Sequence, residues 1–257
     1  MHEQKKYHKI IFFIEACFSG SMFESLLPNN ISAYVMTAAH AHEVSWACYY
    51  DEYRDAWLGD SFSVNWMEDA DQQDLHKQTL HQLYNIVKKK TTKSHVQHYG
   101  EMATESLHLS EFMGNKNVTP VVLSNFSCDP VSSADLPIHV LEHKINTTEN
   151  STLKRELEEQ KKEIFEKRDM LGGLFVELVS AVGADVSVLN TKPGEIEFPC
   201  YENVTDAFSE KCSNISSSPY TAAFLFGLVN LCANYTTETI IETIQTVCPR
   251  YQISDVI

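Results

Sequence analysis

The chain has 257 residues, of which 43% are hydrophobic and 11% aromatic, so it can form packed cores for one or two domains. A formal net charge of −15 argues against nucleic acid or an anionic membrane as a partner, because both would repel an acidic surface. No apolar stretch of the sequence approaches the ~20 residues that a membrane-spanning helix needs.

The first predicted element is a strand from Ile10 to Ile14, a short apolar run that is typical of a strand buried on both faces of a parallel sheet. Glu15, Cys17 and then Ser19-Gly20-Ser21 follow it, and we expect Ser21 to cap a short helix. Open α/β sheets place ligands and reactive groups at the carboxyl ends of their strands. Cys17 is therefore a candidate nucleophile, although a lone cysteine after a strand is more often a small buried apolar residue.

The rest of the N-terminal part alternates further strands, aromatic-rich loops and one helix. The loops are of a kind that lines a binding cleft or, alternatively, covers a sheet edge. The helix is amphipathic and ends in lysines, which suit the negative end of its dipole. In sequence order we predict a strand over 31–37, aromatic-rich loops over 40–51 and 60–66, a helix over 69–88, and short strands over 94–99 and 106–113.

The C-terminal part is predicted to be helical. Residues 115–138 lack periodicity and contain three prolines, which is typical of a linker. From Ser151 onward, apolar residues recur every three to four positions. We expect a long helix broken at Gly172-Gly173, and further helices over 220–232 and 237–247. The chain thus divides into an α/β part (1–114), a linker (115–150) and an all-α bundle (151–257).

Two features are typical of the secretory pathway. The sequence contains N-x-S/T sequons at Asn30, Asn117, Asn125, Asn146, Asn150, Asn203, Asn214 and Asn234. Four of the seven cysteines lie near the C-terminus, where two disulfides are expected, and four cysteines allow three pairings. Because no signal peptide precedes the first strand, we expect the sequence to begin late in a longer protein.

Several blocks of the sequence resemble the legumain family of asparaginyl endopeptidases, and they occur in the family's order. They are EACxSGSM from Glu15 (x being any residue), ACYYDE from Ala47, LGD from Leu58, SVNWMED from Ser63 and LVNLC from Leu228. The resemblance covers essentially the whole chain. It implies a caspase-like α/β sheet flanked by helices, incomplete at its N-terminus, followed by an all-α, death-domain-like prodomain. It also implies a location in the lysosome or vacuole.

The same resemblance implies a role for each matched pocket residue. Cys17 would attack the carbonyl after an Asn, less readily after an Asp, and form an acyl-enzyme, and its backbone N–H would contribute to the oxyanion hole. Glu15 and Asp60 would read the Asn side chain, because carboxylates accept hydrogen bonds from its NH₂ group. Val44 stands where the family usually has a pocket serine, while Ser45 keeps the neighbouring hydroxyl.

The sequence departs from the family in what it lacks. The family's catalytic histidine and pocket arginine lie upstream of the Cys17 strand, so we expect this chain to be N-terminally truncated and inactive alone. None of its eleven histidines stands at a family catalytic position. His40 and His42 fall in the predicted cleft loop, and His95 and His98 fall near a strand. We expect each of them to be exposed or bonded locally.

Activation and partners are implied by the resemblance as well. The prodomain would be released at acid pH by cleavage after Asn146 or Asn150, because interface carboxylates lose their charge there. The partners would be Asn-containing protein or peptide substrates, the prodomain itself and cystatin-type inhibitors. No cofactor and no metal are expected.

The four late cysteines receive a definite pairing only from the family, which implies Cys200–Cys232 and Cys212–Cys248. A function of a different class also stays open. In that alternative the protein is a short, non-catalytic one that binds and inhibits an active relative through its helical part.

Overall fold

Two units, Met1–Leu136 and Pro137–Ile257, make up the computed structural model, which describes residues 1–114, 128–215, 219–251 and 253. The first unit is a mixed α/β structure with small sheets and flanking helices. The second contains helices and no strand in the part that the structure describes. None of the described helices is long and apolar enough to cross a membrane.

The elements are named in the order in which they occur. Those of the first unit are β1 (Ile10–Ile14), β2 (Ala33–Thr37), β3 (Trp46–Asp51), β4 (Ala56–Asp60), α1 (Ser61–Gln72), α2 (Leu80–Lys90), β5 (Gln97–Gly100), α3 (Ser110–Met113) and β6 (Val131–Ser132). The helices that follow are α4 (Leu136–Thr147), α5 (Ser151–Val182), α6 (Phe198–Lys211), α7 (Pro219–Ala222), α8 (Leu225–Cys232) and α9 (Thr237–Val247). The bounds of β1 and α9 are those that the sequence predicts.

The central strand of the first sheet is β2, which lies between β1 and β5. β1 runs parallel to β2, with Ile14 opposite Thr37, and β5 runs antiparallel, with Gln97 opposite the same Thr37. All five residues of β2 are buried, whereas β1 lies at the sheet edge and its Phe12 is 41% exposed. The expectation that β1 is buried on both faces is therefore wrong, and that environment belongs to β2.

The core of this unit is built on one stripe of α2. Leu80, Leu83, Tyr84 and Val87, spaced three or four residues apart, pack with Tyr34 and Met36 of β2 and Phe62 of α1. The sequence predicts one helix over 69–88, but α1 ends at Gln72 and α2 begins at Leu80. A capping box separates them, since the side chains of Thr79 and Gln82 satisfy each other's backbone N–H groups.

The second sheet forms where the sequence predicts only loops. It is antiparallel and has the order β4-β3-β6. β3 and β4 make a hairpin with Ala47 opposite Asp60, and α1 begins directly after Asp60. Residues 46–51 and 60–66 are therefore a strand and a strand-to-helix junction, which correct the predicted loops. Pairing with β4 and with β6 decides that β3 is a strand, and its aromatic pattern alone does not reveal this.

Two further predicted elements need correction. Helix α3 occupies part of 106–113, where the sequence predicts a strand. Helix α4 occupies 136–147, within the predicted linker. Residues 115–127 of that linker lie outside the described residues.

Helix α5 runs without interruption from Ser151 to Val182, so the predicted break at Gly172-Gly173 is wrong. A glycine costs a helix only about 1 kcal/mol relative to alanine. The adjacent residues Leu171 and Leu174 are fully buried, and their packing holds the helix together. The helix ends at Gly183, whose φ of 91° suits a left-handed C-terminal cap.

Four helices contribute to the core of the second unit. The buried residues include Leu174, Phe175 and Leu178 of α5, Phe208 of α6, Leu228 of α8, and Ile240 and Ile244 of α9. The Phe175 ring stacks on Phe208 with centroids 4.9 Å apart. This arrangement gives the helical unit a core of its own.

Three disulfides are present among the described cysteines. Cys200–Cys232 ties α6 to α8, and Cys212–Cys248 ties the ends of α6 and α9, with Cα separations of 5.8 and 5.0 Å. These are the two pairs that the family resemblance implies. The third, Cys48–Cys128, joins β3 to the residues that precede β6, and no sequence pattern predicts it. Cys17 is the cysteine that stays free.

Candidate active site

Cys17 lies just past the end of β1, in a turn that is pinned to the residues after β2. Gly20 N–H donates to the Ala39 carbonyl at 3.0 Å. The hydroxyl of Ser19, which is fully buried, contacts both the carbonyl and the N–H of Ala39. A single 3₁₀ turn over Ser19–Met22 follows. Its N-cap residue is Phe18, which has a φ of 57°, and no side chain donates or accepts a capping hydrogen bond. Ser21 lies inside the turn, so the prediction that it caps a helix is wrong.

Glycine is required at position 20 because neighbouring atoms leave no room for a Cβ atom. A Cβ at this position would lie 2.7 Å from the Tyr99 hydroxyl, 2.8 Å from the Ala41 nitrogen and 2.9 Å from the His40 carbonyl carbon. Two of these neighbours are backbone atoms and cannot rotate away. The turn that carries Cys17 can therefore pack against β5 and the 39–41 segment only with glycine at this point.

The Cys17 residue is half-buried, and its sulfur contacts Ser45 on the segment before β3. Ser45 N–H donates to Cys17 Sγ at 3.3 Å, and the Ser45 hydroxyl lies 3.6 Å from the same sulfur. The Phe18 N–H donates to the Glu43 carbonyl at 2.7 Å, which fixes the two segments side by side. Among the described residues, no histidine is a hydrogen-bond partner of Cys17.

Two half-buried carboxyl groups belong to the same site. Glu15 Oε2 accepts the N–H of Ser63 in the first turn of α1 at 2.8 Å. Burial raises the pKa of Glu15 to about 7; the Ser63 N–H opposes the rise and the Asp60 charge adds to it. The Oε1 atom of Glu15 is buried and has no hydrogen-bond partner in the part of the protein that the structure describes. An unmet acceptor in a buried position is ready to receive a donor from a ligand.

Asp60, the last residue of β4, carries the second carboxyl group of the candidate site. Burial raises the pKa of its carboxyl, and a hydrogen bond from Ser133 opposes that rise. The Ser133 oxygen also accepts from the Ser45 hydroxyl at 3.3 Å, and Ser133 N–H donates to the Ser45 carbonyl at 3.0 Å. A series of contacts thus runs from Cys17 through Ser45 and Ser133 to Asp60.

The structure therefore brings Cys17, Glu15, Ser45 and Asp60 into one neighbourhood. It also adds Ser133, which no sequence motif singles out. Ser133 follows the two-residue strand β6, and its place depends on the pairing of β6 with β3, in which Val131 lies opposite Ala47. No local pattern near Ser133 identifies it as a site residue.

The two candidate cleavage positions lie in the helical unit. Asn146 is exposed in the last turn of α4. Asn150 is also exposed, but its side-chain oxygen accepts the N–H groups of Thr152 and Leu153 and caps α5. Its backbone is extended, with φ −79° and ψ 108°.

Comparison with known proteins finds one matching family and several similar proteins. Residues 1–115 match the model of the Peptidase C13 family. The chain is 38% identical over 261 residues to legumain of Bos taurus, covering 98% of this chain and 60% of that protein. It is 34% identical over 254 residues to hemoglobinase of Schistosoma mansoni, covering 96% and 59%.

A plant relative shows the same partial coverage. The vacuolar-processing enzyme delta-isozyme of Arabidopsis thaliana is 31% identical over 264 residues, covering 90% of this chain and 55% of that protein. The chain thus spans between 55 and 60% of the length of these curated relatives. The segment that carries Glu15, Cys17 and Asp60 falls inside the family match.

Proposed function

Since residues 1–115 match the model of the Peptidase C13 family, we propose that the protein is the thiol-bearing part of a legumain-type cysteine endopeptidase zymogen. The observation that supports this most directly is the grouping of a free, half-buried Cys17 with two half-buried carboxyls, those of Glu15 and Asp60. The thiol is joined to Asp60 through the contacts of Ser45 and Ser133.

In the proposed reaction the Cys17 sulfur attacks the carbonyl carbon after an Asn residue. A C–S bond forms, the peptide C–N bond breaks, and the amine leaves with a proton. Water then hydrolyses the thioester and restores the thiol. The turn that follows β1 would supply the Cys17 backbone N–H to the developing oxyanion.

The proton acceptor is proposed to lie outside these 257 residues. In the described part of the protein, the contacts of the sulfur are with Ser45, a residue that cannot serve as a base at ordinary pH. The 257 residues alone are therefore expected to bind Asn peptides and to be alkylated at Cys17, but not to turn peptides over.

The carboxyl pair accounts for the proposed Asn preference. Ionised carboxylates accept from the NH₂ group of the Asn side chain, and Glu15 Oε1 has that capacity unused. Because burial raises the pKa of Glu15 to about 7, its carboxyl is protonated in an acidic compartment, where it accepts less well from the NH₂ group. Asp60 would then remain the acceptor for the NH₂ group.

Residues 151–257, which belong to the second unit, would serve as the prodomain. We propose that the first unit is caspase-like, that the helical unit is death-domain-like, and that cleavage at acid pH separates them. Asn150 is the favoured position, because the residue is exposed and its backbone is already extended; cleavage there would release its side chain from the cap of α5, whereas cleavage at Asn146 requires the end of α4 to unwind. Residues 115–150 would contain the activation segment, and residues 151–257 the prodomain.

The setting follows from the same proposal. Proteins named legumain and vacuolar-processing enzyme are among the relatives, so we place the protein in the lysosome or vacuole. Its partners would be Asn-containing proteins, its own helical unit and cystatin-type inhibitors.

The test uses peptides that end in an electrophile after the recognised residue. An Asn probe should label Cys17 faster than a Leu probe of equal length, and Cys17→Ala should abolish the label. His76→Asn, an exposed substitution between α1 and α2, is the matched control and should label normally. Equal rates for the two probes would overturn the specificity, and label in Cys17→Ala would overturn the nucleophile.

A second function is favoured by one observation, the separate core and two disulfides of the helical unit. In this alternative the protein is non-catalytic and inhibits an active relative by binding it. The full 257-residue protein, with Cys17→Ala to remove its own reactivity, should then inhibit a legumain near neutral pH. Full activity of the legumain at micromolar concentrations of this variant would exclude the alternative.

A further inference from the structure

A second group of chemically active residues lies around the segment between β2 and β3. Glu43 Oε1 accepts the backbone N–H groups of His40 and His95, at 2.9 and 2.7 Å. Its other oxygen, Oε2, lies 2.9 Å from His95 Nδ1 and 3.6 Å from His40 Nε2. One ligand atom from each of the three residues lies within 4.8 Å of the others.

We propose that His40, Glu43 and His95 form a site for a divalent transition metal of the zinc class. Two imidazole nitrogens and one carboxylate oxygen are a donor set that zinc prefers, with water completing the coordination. At Zn–N bonds of about 2.0–2.1 Å, tetrahedral ligand atoms lie about 3.3 Å apart. The distances from Glu43 Oε2 to His95 Nδ1 and His40 Nε2, 2.9 and 3.6 Å, fall on either side of that value, and the ligand nitrogens of the two histidines lie within 4.8 Å of each other. The sequence leads to the expectation of no metal, and the geometry departs from it.

The carboxylate is held in place before any ion arrives. Its Oε1 is fixed by two backbone donors, so Oε2 must face the two rings. The side chain of Glu43 is only 17% exposed, whereas those of His40 and His95 are 39 and 72% exposed. The site therefore has one fixed, largely buried ligand, Glu43, and two exposed histidines on its open side. Such an arrangement suits an ion that keeps water ligands.

Another Glu with two His neighbours provides a comparison. Its two histidines do not share one carboxylate oxygen, so His–Glu contacts do not always bring three ligand atoms together. Glu105 contacts His81 through Oε2 at 2.8 Å and His98 through Oε1 at 2.6 Å. Each imidazole thus takes a different oxygen, and the Tyr34 hydroxyl also donates to Oε1. Among the described residues, the His40, Glu43 and His95 group alone brings three ligand atoms together.

Metal binding would require a change of tautomer. His40 Nδ1 accepts the His42 N–H at 2.9 Å, so the neutral ring carries its proton on Nε2. Coordination through Nε2 moves that proton to Nδ1, and the exposed His42 N–H must then turn to water. His95 needs the same kind of change, because its Nδ1 lies 2.9 Å from the Glu43 carboxylate and donates to it; on coordination that proton moves to Nε2.

The site is linked to the thiol through the backbone. The Glu43 carbonyl accepts the Phe18 N–H at 2.7 Å, and Ser45 N–H donates to Cys17 Sγ at 3.3 Å. A metal held by His40, Glu43 and His95 would therefore fix the segment that positions Cys17.

The experiment is a calorimetric titration of the chelator-treated protein with Zn²⁺, after Cys17 is blocked by iodoacetamide so that its thiol cannot bind. One equivalent should bind, and His95→Asn and His40→Asn should each weaken binding at least about 100-fold, beyond the usual effect of outer-shell partners. His81→Asn, which removes a histidine that contacts Glu105, is the matched control and should leave affinity and stoichiometry unchanged.

A visible spectrum with Co²⁺ gives a second readout. Bands typical of nitrogen and oxygen ligands should appear with the blocked protein and disappear in His95→Asn. Tryptophan fluorescence checks that each variant is folded; if one is not, the other histidine variant carries the test. Zinc affinity that survives both histidine substitutions, or that is lost when Cys17 is blocked, would overturn the proposal.

Discussion

Replacing Glu15 by Gln removes a charge that burial makes unfavourable. The pKa of Glu15 is raised from 4.5 to about 7, chiefly by burial. Gln keeps an oxygen that can accept the Ser63 N–H and has nearly the same shape. Its amide, unlike the carboxyl, stays neutral at every pH. The substitution therefore tests whether ionisation of this residue destabilises the first unit.

The sign follows from linkage. An acid whose folded pKa exceeds its unfolded pKa binds more protons in the folded state, so stability falls as the pH rises between the two values. A rise from 4.5 to about 7 corresponds to a loss of ~3 kcal/mol, at 1.36 kcal/mol for each pH unit. The loss begins near pH 4.5 and is complete above about pH 7. Glu15→Gln should not show it.

Tryptophan fluorescence during urea unfolding measures this unit selectively. The three tryptophans of the protein, Trp46, Trp57 and Trp66, all lie in the first unit. The free energy of unfolding is compared between the parent protein and Glu15→Gln at about pH 4 and about pH 8. We expect the difference, variant minus parent, to rise by ~3 kcal/mol across that range.

The change with pH is the decisive quantity, because a constant packing cost of the amide cancels from it. Glu163→Gln is the matched control, since it removes one negative charge from an exposed position of α5 in the other unit. Its effect on the fluorescence transition should be small at both pH values. A difference between parent and Glu15→Gln that does not vary with pH would refute the assignment of an unfavourable buried charge to Glu15.

Three further changes have definite expected outcomes. Gly20→Ala should destabilise the first unit by about 1–3 kcal/mol in urea unfolding, because its Cβ would meet backbone atoms, and Tyr99→Phe should not rescue it. Gly173→Ala, where a Cβ meets nothing within 4 Å, should stabilise α5 by about 0.5–1 kcal/mol in a thermal scan followed by circular dichroism. Glu105→Gln should lower the urea concentration at the midpoint of unfolding, followed by tryptophan fluorescence, at neutral pH. Burial raises the Glu105 pKa, but hydrogen bonds from His81, Tyr34 and His98 outweigh it and lower that pKa, so the stability they contribute is present above pH 4.5 and is lost at lower pH. The gap should then close in acid; a constant gap would contradict this reasoning.

The elements that the sequence predicts best are those whose pattern is set by local spacing. Helix α9 buries Ile240, Ile244 and Val247, and the three- and four-residue steps predict its bounds without error. Strand β1 has the predicted bounds but not the predicted environment, because a run of apolar residues does not say whether a neighbouring strand lies on each side.

The elements that the sequence does not predict depend on pairing with other segments, which lie near or far along the chain. β3 contains polar and aromatic residues in no strict alternation, and it becomes a strand because β4 and β6 supply its hydrogen bonds. The Cys48–Cys128 bridge likewise joins residues 80 positions apart. Spacing along the sequence gives no information about such pairs.

The site shows the same division. Family motifs predict Cys17, Glu15 and Asp60 as site residues, whereas Ser133 joins these candidates only through the pairing of β6 with β3. The sequence predicts that His40 and His95 are exposed or bonded locally. Both histidines contact Glu43, as that prediction allows. They share one atom, Oε2, and only the folded structure reveals this.

The unpartnered oxygen of Glu15 connects stability with recognition. The environment that raises the pKa of this residue also leaves Oε1 without a donor among the described residues. A ligand amide that donates to this oxygen would stabilise the ionised form, lower the pKa of Glu15 and remove part of the unfavourable free energy of the buried charge. An Asn peptide should therefore stabilise the first unit more above pH 7 than near pH 4.5, and a Leu peptide of equal length should show no such difference. An unfavourable group of this kind at a binding pocket is expected where a site is built for a ligand rather than for the stability of the free protein.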